Sequence, residues 1–309
     1  MPFENILVPI DDSSKSRIAR DVAIFIAKLF RSQVTLMHVV SNELPALAGG
    51  VYSPREDYVP INPATYQFPR TIELPRPKDN IFPDEILGEI TQRLRENGQA
   101  LLNENASLFS AENVVVKQKL LEARDVATAI VDEAAAGMND LVIMGNSGSS
   151  ESEDDLHLGS TAKKVSLSVK TQIMIVRGKT EAERILVPVE GSIEEDKTLQ
   201  QVLTIARAAK SNGLLLHVQE NAFLRLRPEI KEIGVQILSH ASKILEETPF
   251  ESKMATGDPA KVIIETAEKN NTDLIIMRAG GHDILKRFFL GSVSDHVLHH
   301  ATKTILLIK

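Results

Sequence analysis

The sequence predicts an α/β protein built as two open, doubly wound parallel sheets of five strands, each flanked by helices. Three observations carry that prediction. First, one pattern is written twice: Asp140 to Lys164 reads DLVIMGNSGSSESEDDLHLGSTAKK, and from Asp273 the chain reads DLIIMRAGGHDILKRFFLGSVSDHV. Second, the opening run NILVPI, which leads into Asp11, Asp12 and Ser13, returns as RILVPVEGS from Arg184 to Ser192. Third, these runs are apolar on successive residues rather than alternating, the pattern of strands covered by helices on both faces.

The elements follow in chain order. After NILVPI, Asp12 or Ser13 can cap a helix whose apolar positions Ile18, Ala19, Val22, Ile26 and Leu29 recur at helical spacing. Val34 to Val40, VTLMHVV, is a second buried strand, so the chain opens as a βαβ unit that crosses over right-handed. Between Ser41 and Asp84 lie eight of the fourteen prolines and all three tyrosines (Tyr52, Tyr58 and Tyr66). That density argues against helix or central strand and predicts a long irregular excursion: a disordered loop, a lid over the first half's pocket, or an arm embracing the second half. Helical periodicity resumes from Pro83 to Leu108 (Ile86, Ile90, Leu94, Leu101), and Val114 to Val116 is read as a third strand.

Next, EARDVATAIVDEAAAGMND matches TGDPAKVIIETAEKNNTD, pairing Asp125 with Asp258 and Ile130 with Ile263. Each is read as a helix delivering the chain to the strand of the duplicated stretch, Leu141 to Met144 or Leu274 to Met277. In each copy a glycine-bearing turn (Gly148; Gly281) leads to Leu-Gly-Ser at a helix start (Leu158, Gly159, Ser160; Leu290, Gly291, Ser292). Bare glycine backbone and a helix N-terminus together suit a phosphate. Ile173 to Val176 and Ile305 to Ile308 close the two sheets. The units are set at 1–178, with an insertion at about 41–84, and at 183–309.

Bulk properties narrow the function. A formal net charge of −7 disfavours a broad nucleic-acid or anionic-membrane surface. The absence of cysteine excludes disulfides and thiol chemistry and fits the cytoplasm. No apolar run is long enough to span a bilayer, and MPFENILVPIDD lacks the basic and long apolar regions of a signal peptide. His296, His299 and His300 share one helix face, which suits a solvated or partner-facing cluster better than a closed metal site. No nucleophile elbow, Walker lysine or catalytic triad is present, so no catalytic residue is assigned.

A strand reading I-L-V-P-x-D, a second strand ending His-Val, and G-x2-G-x9-G-S/T after a strand resemble the universal stress protein family, here in a tandem form. The resemblance covers nearly all of the chain outside the proline-rich excursion. It implies Rossmann-like domains of the adenine nucleotide alpha hydrolase type that pair through an edge strand. It also implies adenine nucleotide, ATP or AMP with or without Mg²⁺, as the ligand of those members that bind one; other members act without nucleotide. The Asp after the first strand and the Val of His-Val would face the nucleoside, and the glycine loop and helix start the phosphates.

Carried onto this sequence, the first half supplies Pro9, Asp11, Val39, Met144, Gly145, Gly148, Gly159, Ser160 and Thr161. The second supplies Pro188, Glu190, Val218, Met277, Arg278, Gly281, Gly291 and Ser292. Both halves depart from the pattern. Gly148 and Gly159 enclose ten residues, among them Glu151, Glu153, Asp154 and Asp155, which would repel a triphosphate without a metal or basic partner. In the second half the spacing is nine and Lys286 and Arg287 are basic, but Glu190 stands where the Asp should be. Arg278 replaces the first glycine, and it can either crowd the phosphate path or pair with it.

Expected partners are the other half of the chain as an internal pseudo-dimer, a second copy as homodimer, and a protein partner that the sequence does not name. The expected role is a stress-response regulator or scaffold driven by nucleotide. A nucleotide-independent interaction module and a slow ATPase are its rivals.

Overall fold

In the computed structural model the described residues are 3–41, 84–148, 158–192, 194–220, 230–280 and 290–309. Almost all of the proline-rich excursion and the tips of both glycine loops, including Gly281, Lys286, Arg287 and the four first-loop carboxylates, lie outside them.

The first half runs β1 (Asn5–Pro9), α1 (Ser14–Phe30), β2 (Gln33–Ser41), α2 (Asp84–Ala111), β3 (Val116–Ala123), α3 (Val126–Ala136), β4 (Leu141–Gly145), α4 (Ser160–Ser168) and β5 (Gln172–Val176). The second repeats it: β6 (Arg184–Pro188), α5 (Glu195–Ala209), β7 (Asn212–Gln219), α6 (Ile230–Ile244), β8 (Phe250–Thr256), α7 (Pro259–Lys269), β9 (Leu274–Arg278), α8 (Ser292–His300) and β10 (Thr304–Ile308). The third strand lies later than the valine run suggested. Val114 is buried, Val115 is 62% exposed, and pairing with β2 begins at Val116 opposite Val34. A charged strand (VKQKLLEA) reads poorly as a strand because it lies at the sheet's edge, where its two faces are only partly covered.

The two five-stranded sheets are one. The order is β3-β2-β1-β4-β5-β10-β9-β6-β7-β8, parallel within each half and antiparallel only where β5 meets β10. Ile175 faces Ile305, Met174 faces Leu306 and Ile173 faces Leu307, all six essentially inaccessible to solvent. A continuous core covers each face. Ile6 and Val8 point into the core formed with α1, α2, α5 and α6, while Leu7 points into the one formed with α3, α4, α7 and α8. Alternation of side chains across the pleat thus explains why the central strands are apolar on successive residues.

Asp140 and Asp273, the acids opening the duplicated stretch, lie at the far end of the strands from the glycine loops. Asp140 accepts from the backbone N–H groups of Glu4 and Asn5 at 2.8 Å, and Asp273 from those of Glu183 and Arg184 at 3.1 Å. Each stitches its strand to the start of the neighbouring one. Among the described residues no helix is long and apolar enough to cross a membrane.

Candidate functional site

In each half the strand order turns back between β1 and β4, or between β6 and β9, and helices leave those two strands on opposite faces. The carboxyl ends of such strands frame a crevice, the place where doubly wound sheets hold ligands.

The first-half crevice is lined by the β1–α1 turn, the end of β2, the β4 loop and the start of α4. Ser13 caps α1, its Oγ accepting from the Ser16 N–H at 3.0 Å. Asp11 is held in the same turn: its Oδ1 accepts from the N–H (3.0 Å) and the hydroxyl of Ser13, and its own N–H donates to Ser16 Oγ at 3.0 Å. Gly148 lies directly above it, so close that a Cβ there would sit 3.1 Å from Asp11 Oδ2. Gly145 packs on α1; a Cβ would stand 2.9 Å from Lys15 Cβ and 3.0 Å from its carbonyl carbon. Gly145 therefore needs glycine for room, because the backbone of Lys15 cannot give way, whereas a side chain at Gly148 would have to displace the Asp11 carboxylate.

The backbone N–H of Asn146 donates to Val176 O (3.1 Å) and its carbonyl accepts from Gly159 N–H (2.7 Å), which fixes the start of α4. Gly159 is the N-cap of α4, and among the described residues no side chain caps that end, whereas α1, α3 and α7 are capped by Ser13, Asp125 and Asp258. Ser160 is exposed and Thr161 half-buried on this first turn. Pro9 and Val39 are half-buried at the strand ends, and Met144 is buried near the end of β4. The structure thus brings all nine first-half residues to one crevice. First-turn N–H groups with no side-chain cap among the described residues, together with the bare glycine backbone, fit an anion, and Asp11 fits a hydroxyl-bearing group beside it.

The second half keeps the frame. Ala279 replaces Asn146 and makes the same two backbone bonds, to Ile308 O (2.9 Å) and from Gly291 N–H (2.8 Å). Gly291 again is an N-cap without a side-chain cap among the described residues, and Ser292 follows it, exposed. Pro188, Val218 and Met277 take the places of Pro9, Val39 and Met144. The contents differ. Glu195, the counterpart of Ser16, is buried, and its two carboxylate oxygens accept from the N–H groups of Glu190 (2.8 Å) and Gly191 (2.7 Å). Burial raises its pKa, those two bonds offset part of the rise, the Glu190 charge adds to it, and Arg278 works against it.

Arg278 turns into this turn rather than away from it. Its Nη1 donates to Ser192 Oγ (2.8 Å) and Glu194 Oε2 (3.1 Å) and lies 3.9 Å from Glu190 Oε1. The arginine's charge is thus paired with carboxylates of its own chain. Sequence reasoning missed Ser192, Glu194 and Glu195 as parts of this network. Their only signal is position: they follow Glu190 as Ser13, Lys15 and Ser16 follow Asp11.

His38 and His217 are structural. Each Nδ1 donates at 2.8 Å to a carbonyl just beyond the first strand of its half, Ile10 or Val189, and each ring lies against a helix glycine, Gly98 or Gly234. His296 and His300 stack at 4.2 Å, while His299 and His300 spend Nδ1 on helix carbonyls. Among the described residues no three His, Cys, Asp or Glu side chains are placed to hold a metal ion.

Comparison with known proteins agrees with this duplicated architecture. The sequence model of the Universal stress protein family matches twice, over residues 76–177 and 181–309. A universal stress protein of Methanocaldococcus jannaschii is 29% identical over 148 residues, 44% of this chain and 87% of that protein. One from Methanothermobacter thermautotrophicus is 32% identical over 140 residues, 41% of this chain and 94% of that protein. Among solved structures, a universal stress protein from Archaeoglobus fulgidus superposes with a TM-score of 0.62 at 17% identity, over 99% of this chain and 96% of that one.

Proposed function

The chain belongs to the universal stress protein family in its tandem form, and from that premise we propose that it is a nucleotide-responsive regulator or scaffold whose working crevice is in the first half. An adenine nucleotide, ATP or AMP, is the ligand. Asp11 and Val39 would face the nucleoside. The backbone of Gly145 and Gly148 and the first turn of α4, Gly159 to Thr161, would hold phosphate. Binding there would order the glycine loop and bias association with a partner by population shift. One observation supports the choice of half: Gly145 carries no side chain, whereas Arg278, at the corresponding position, brings a guanidinium that is paired with Glu190 and Glu194 of its own chain.

The Arg278 network also favours a second reading, confined to the second half: a nucleotide-independent module of the same fold, fixed in one state by its own side chains. Glu190, Gly281, Gly291 and Ser292 would then have no phosphate to hold.

Thermal unfolding with millimolar ATP, ADP or AMP, with and without Mg²⁺, tests the proposal. A ligand specific for the folded state adds about 2.7 kcal/mol at a hundred times its Kd. We expect such a shift with at least one nucleotide, its loss in Gly148→Arg and its survival in Arg278→Met. A curve indifferent to every nucleotide would sink the proposal. Loss in Arg278→Met but not in Gly148→Arg would move the site to the second half.

A further inference from the structure

Beside the β5–β10 pairing the two halves exchange a reciprocal pair of side-chain contacts. Arg177 and Lys309 occupy equivalent positions, each the residue that follows the closing strand of its half. The Arg177 Nη2 donates to the Leu298 carbonyl of α8 at 2.6 Å. The Lys309 Nζ donates to the Ser166 carbonyl of α4 at 2.8 Å. Leu298 and Ser166 are themselves equivalent, both in the last turn of the helix that begins at Gly291-Ser292 or Gly159-Ser160.

Last-turn carbonyls have no partner within their own helix, and the helix dipole makes that end favourable for a cation. The last turn of α4 carries no basic residue of its own; its cation comes from the other half. These contacts are costly to build. Arg177 is 7% exposed, and its Nε and Nη1 have no hydrogen-bond partner among the described residues. Burial lowers its pKa to about 10. Lys309 is exposed as a residue, but burial around its ammonium lowers its pKa to about 8. An apolar side chain would fill the Arg177 site more cheaply, so stability alone does not account for that buried cation, matched by Lys309 at the equivalent position.

We infer that Arg177 and Lys309 are positioning residues, each capping from its own half the C-terminus of the helix that presents the glycine-loop end of the other half. Lys309 thereby sets α4, and with it the first-half crevice; Arg177 sets α8. A residue of the half without an open crevice thus holds the crevice that is open. The nucleotide arm of the test below rests on the function proposed above, whereas the exchange arm does not.

Amide hydrogen exchange of the full chain, followed by segment, distinguishes this crosswise arrangement from a local one. In Lys309→Met the α4 segment (160–169) is expected to exchange about tenfold faster, as for loss of one hydrogen bond to a charged donor, while the α8 segment (292–301) is unchanged. In Arg177→Met the pattern reverses. Lys309→Arg and Arg177→Lys, which keep a cationic donor, restore protection and cover the case in which a Met variant folds poorly. Acceleration confined to the mutated half, or equal in both halves, overturns the inference, as does no acceleration. In the second arm, Lys309→Met weakens nucleotide binding several-fold and Arg177→Met does not; equal weakening by both contradicts the assignment of Lys309 to α4. A wild-type chain that binds no nucleotide removes the proposed function, and the exchange pattern then decides the clamp by itself.

Discussion

The two halves share a frame to within single hydrogen bonds and differ almost entirely in what fills the crevice. Asp140 and Asp273 stitch the same strands, His38 and His217 tie the same strand ends, and Asn146 and Ala279 make the same backbone bonds. Between the frames, neutral hydroxyls have been exchanged for charge. In the first half Ser16 Oγ accepts from the Asp11 N–H; in the second a buried carboxylate, Glu195, does the corresponding work on Glu190 and Gly191. Once Glu195 and Glu190 stand together, a cation beside them offsets their repulsion, and Arg278 is that cation. The arginine is thus one consequence of a changed turn rather than an isolated lost glycine. A fold kept intact around two different interiors is one reason that fold alone does not assign function.

The largest expected effect follows from removing that cation. Arg278→Gly leaves Glu190 and buried Glu195 uncompensated and should cost about 2–3 kcal/mol near pH 7, read from urea unfolding. The pH dependence has a definite sign. A carboxyl whose folded pKa is raised binds its proton more readily in the native state, so its cost is in full force above that pKa and is relieved as pH falls through it. The Arg278→Gly deficit should therefore shrink on acidification from pH 7. A deficit that grew, or a variant as stable as wild type, would mean that the arginine is not balancing these acids.

The converse substitution, Gly145→Arg, asks whether the first half can be turned into the second. It should not be tolerated equally. Lys15 Cβ and backbone stand at 2.9–3.1 Å from the new Cβ, and the turn holds Ser13 and Ser16 where the second half has Ser192 and Glu195. Overpacking of this kind costs about 1–3 kcal/mol, and the nucleotide shift should vanish with it. A stable Gly145→Arg protein that still binds nucleotide would dissolve the contrast between the halves.

A smaller effect concerns Lys309. Its folded pKa of about 8 lies below the ordinary 10.5, so between those values the unfolded chain holds more protons. Its contribution to stability should accordingly rise with pH across that window and be flat below about pH 8. Comparing wild type with Lys309→Met from pH 7 to 10 isolates it. A difference that does not change with pH would place the Lys309 pKa at its ordinary value and the ammonium in water.

The difference between the halves was only half legible in the sequence. Repetition, apolar runs and glycine spacing located nearly every strand and the helix starts at Gly159-Ser160 and Gly291-Ser292, because those signals are local or periodic. Glu190 and Arg278 were visible as departures, but the direction of the arginine depends on Ser192 and Glu194, more than eighty residues before it. The exchange of Arg177 and Lys309 left no trace at all, since each acceptor is a backbone carbonyl and any residue supplies one. The third strand was placed too early because an edge strand with Lys117 and Lys119 lacks the two-sided apolar pattern that marks its neighbours.

The smallest predicted effect separates the halves at an ordinary helix cap. Asp125 caps α3 by accepting from Thr128 N–H at 2.9 Å, and Asp258 caps α7 by accepting from Lys261 N–H at 2.9 Å. Among the described residues Asp125, unlike Asp258, also pairs with Lys164 of α4; in the second half α7 reaches across instead at its other end, where Glu268 accepts from Thr302 and pairs with Lys303 at 3.2 Å. Replacing either cap by Ala should cost about 1 kcal/mol. The exposed Lys164 pair should add no more than about 0.5 kcal/mol to Asp125, so a double-mutant cycle of Asp125→Ala with Lys164→Ala should return that small coupling. The Lys164 ammonium, and then the Thr128 N–H, hold the Asp125 carboxyl below its usual range. What it contributes is present above the ordinary Asp range and lost as pH falls through the depressed value. If Asp258→Ala proved the costlier by a clear margin, Pro259 at the first helical position would be relying on the cap more than Lys164 adds to Asp125, and the halves would differ at this joint in the opposite sense.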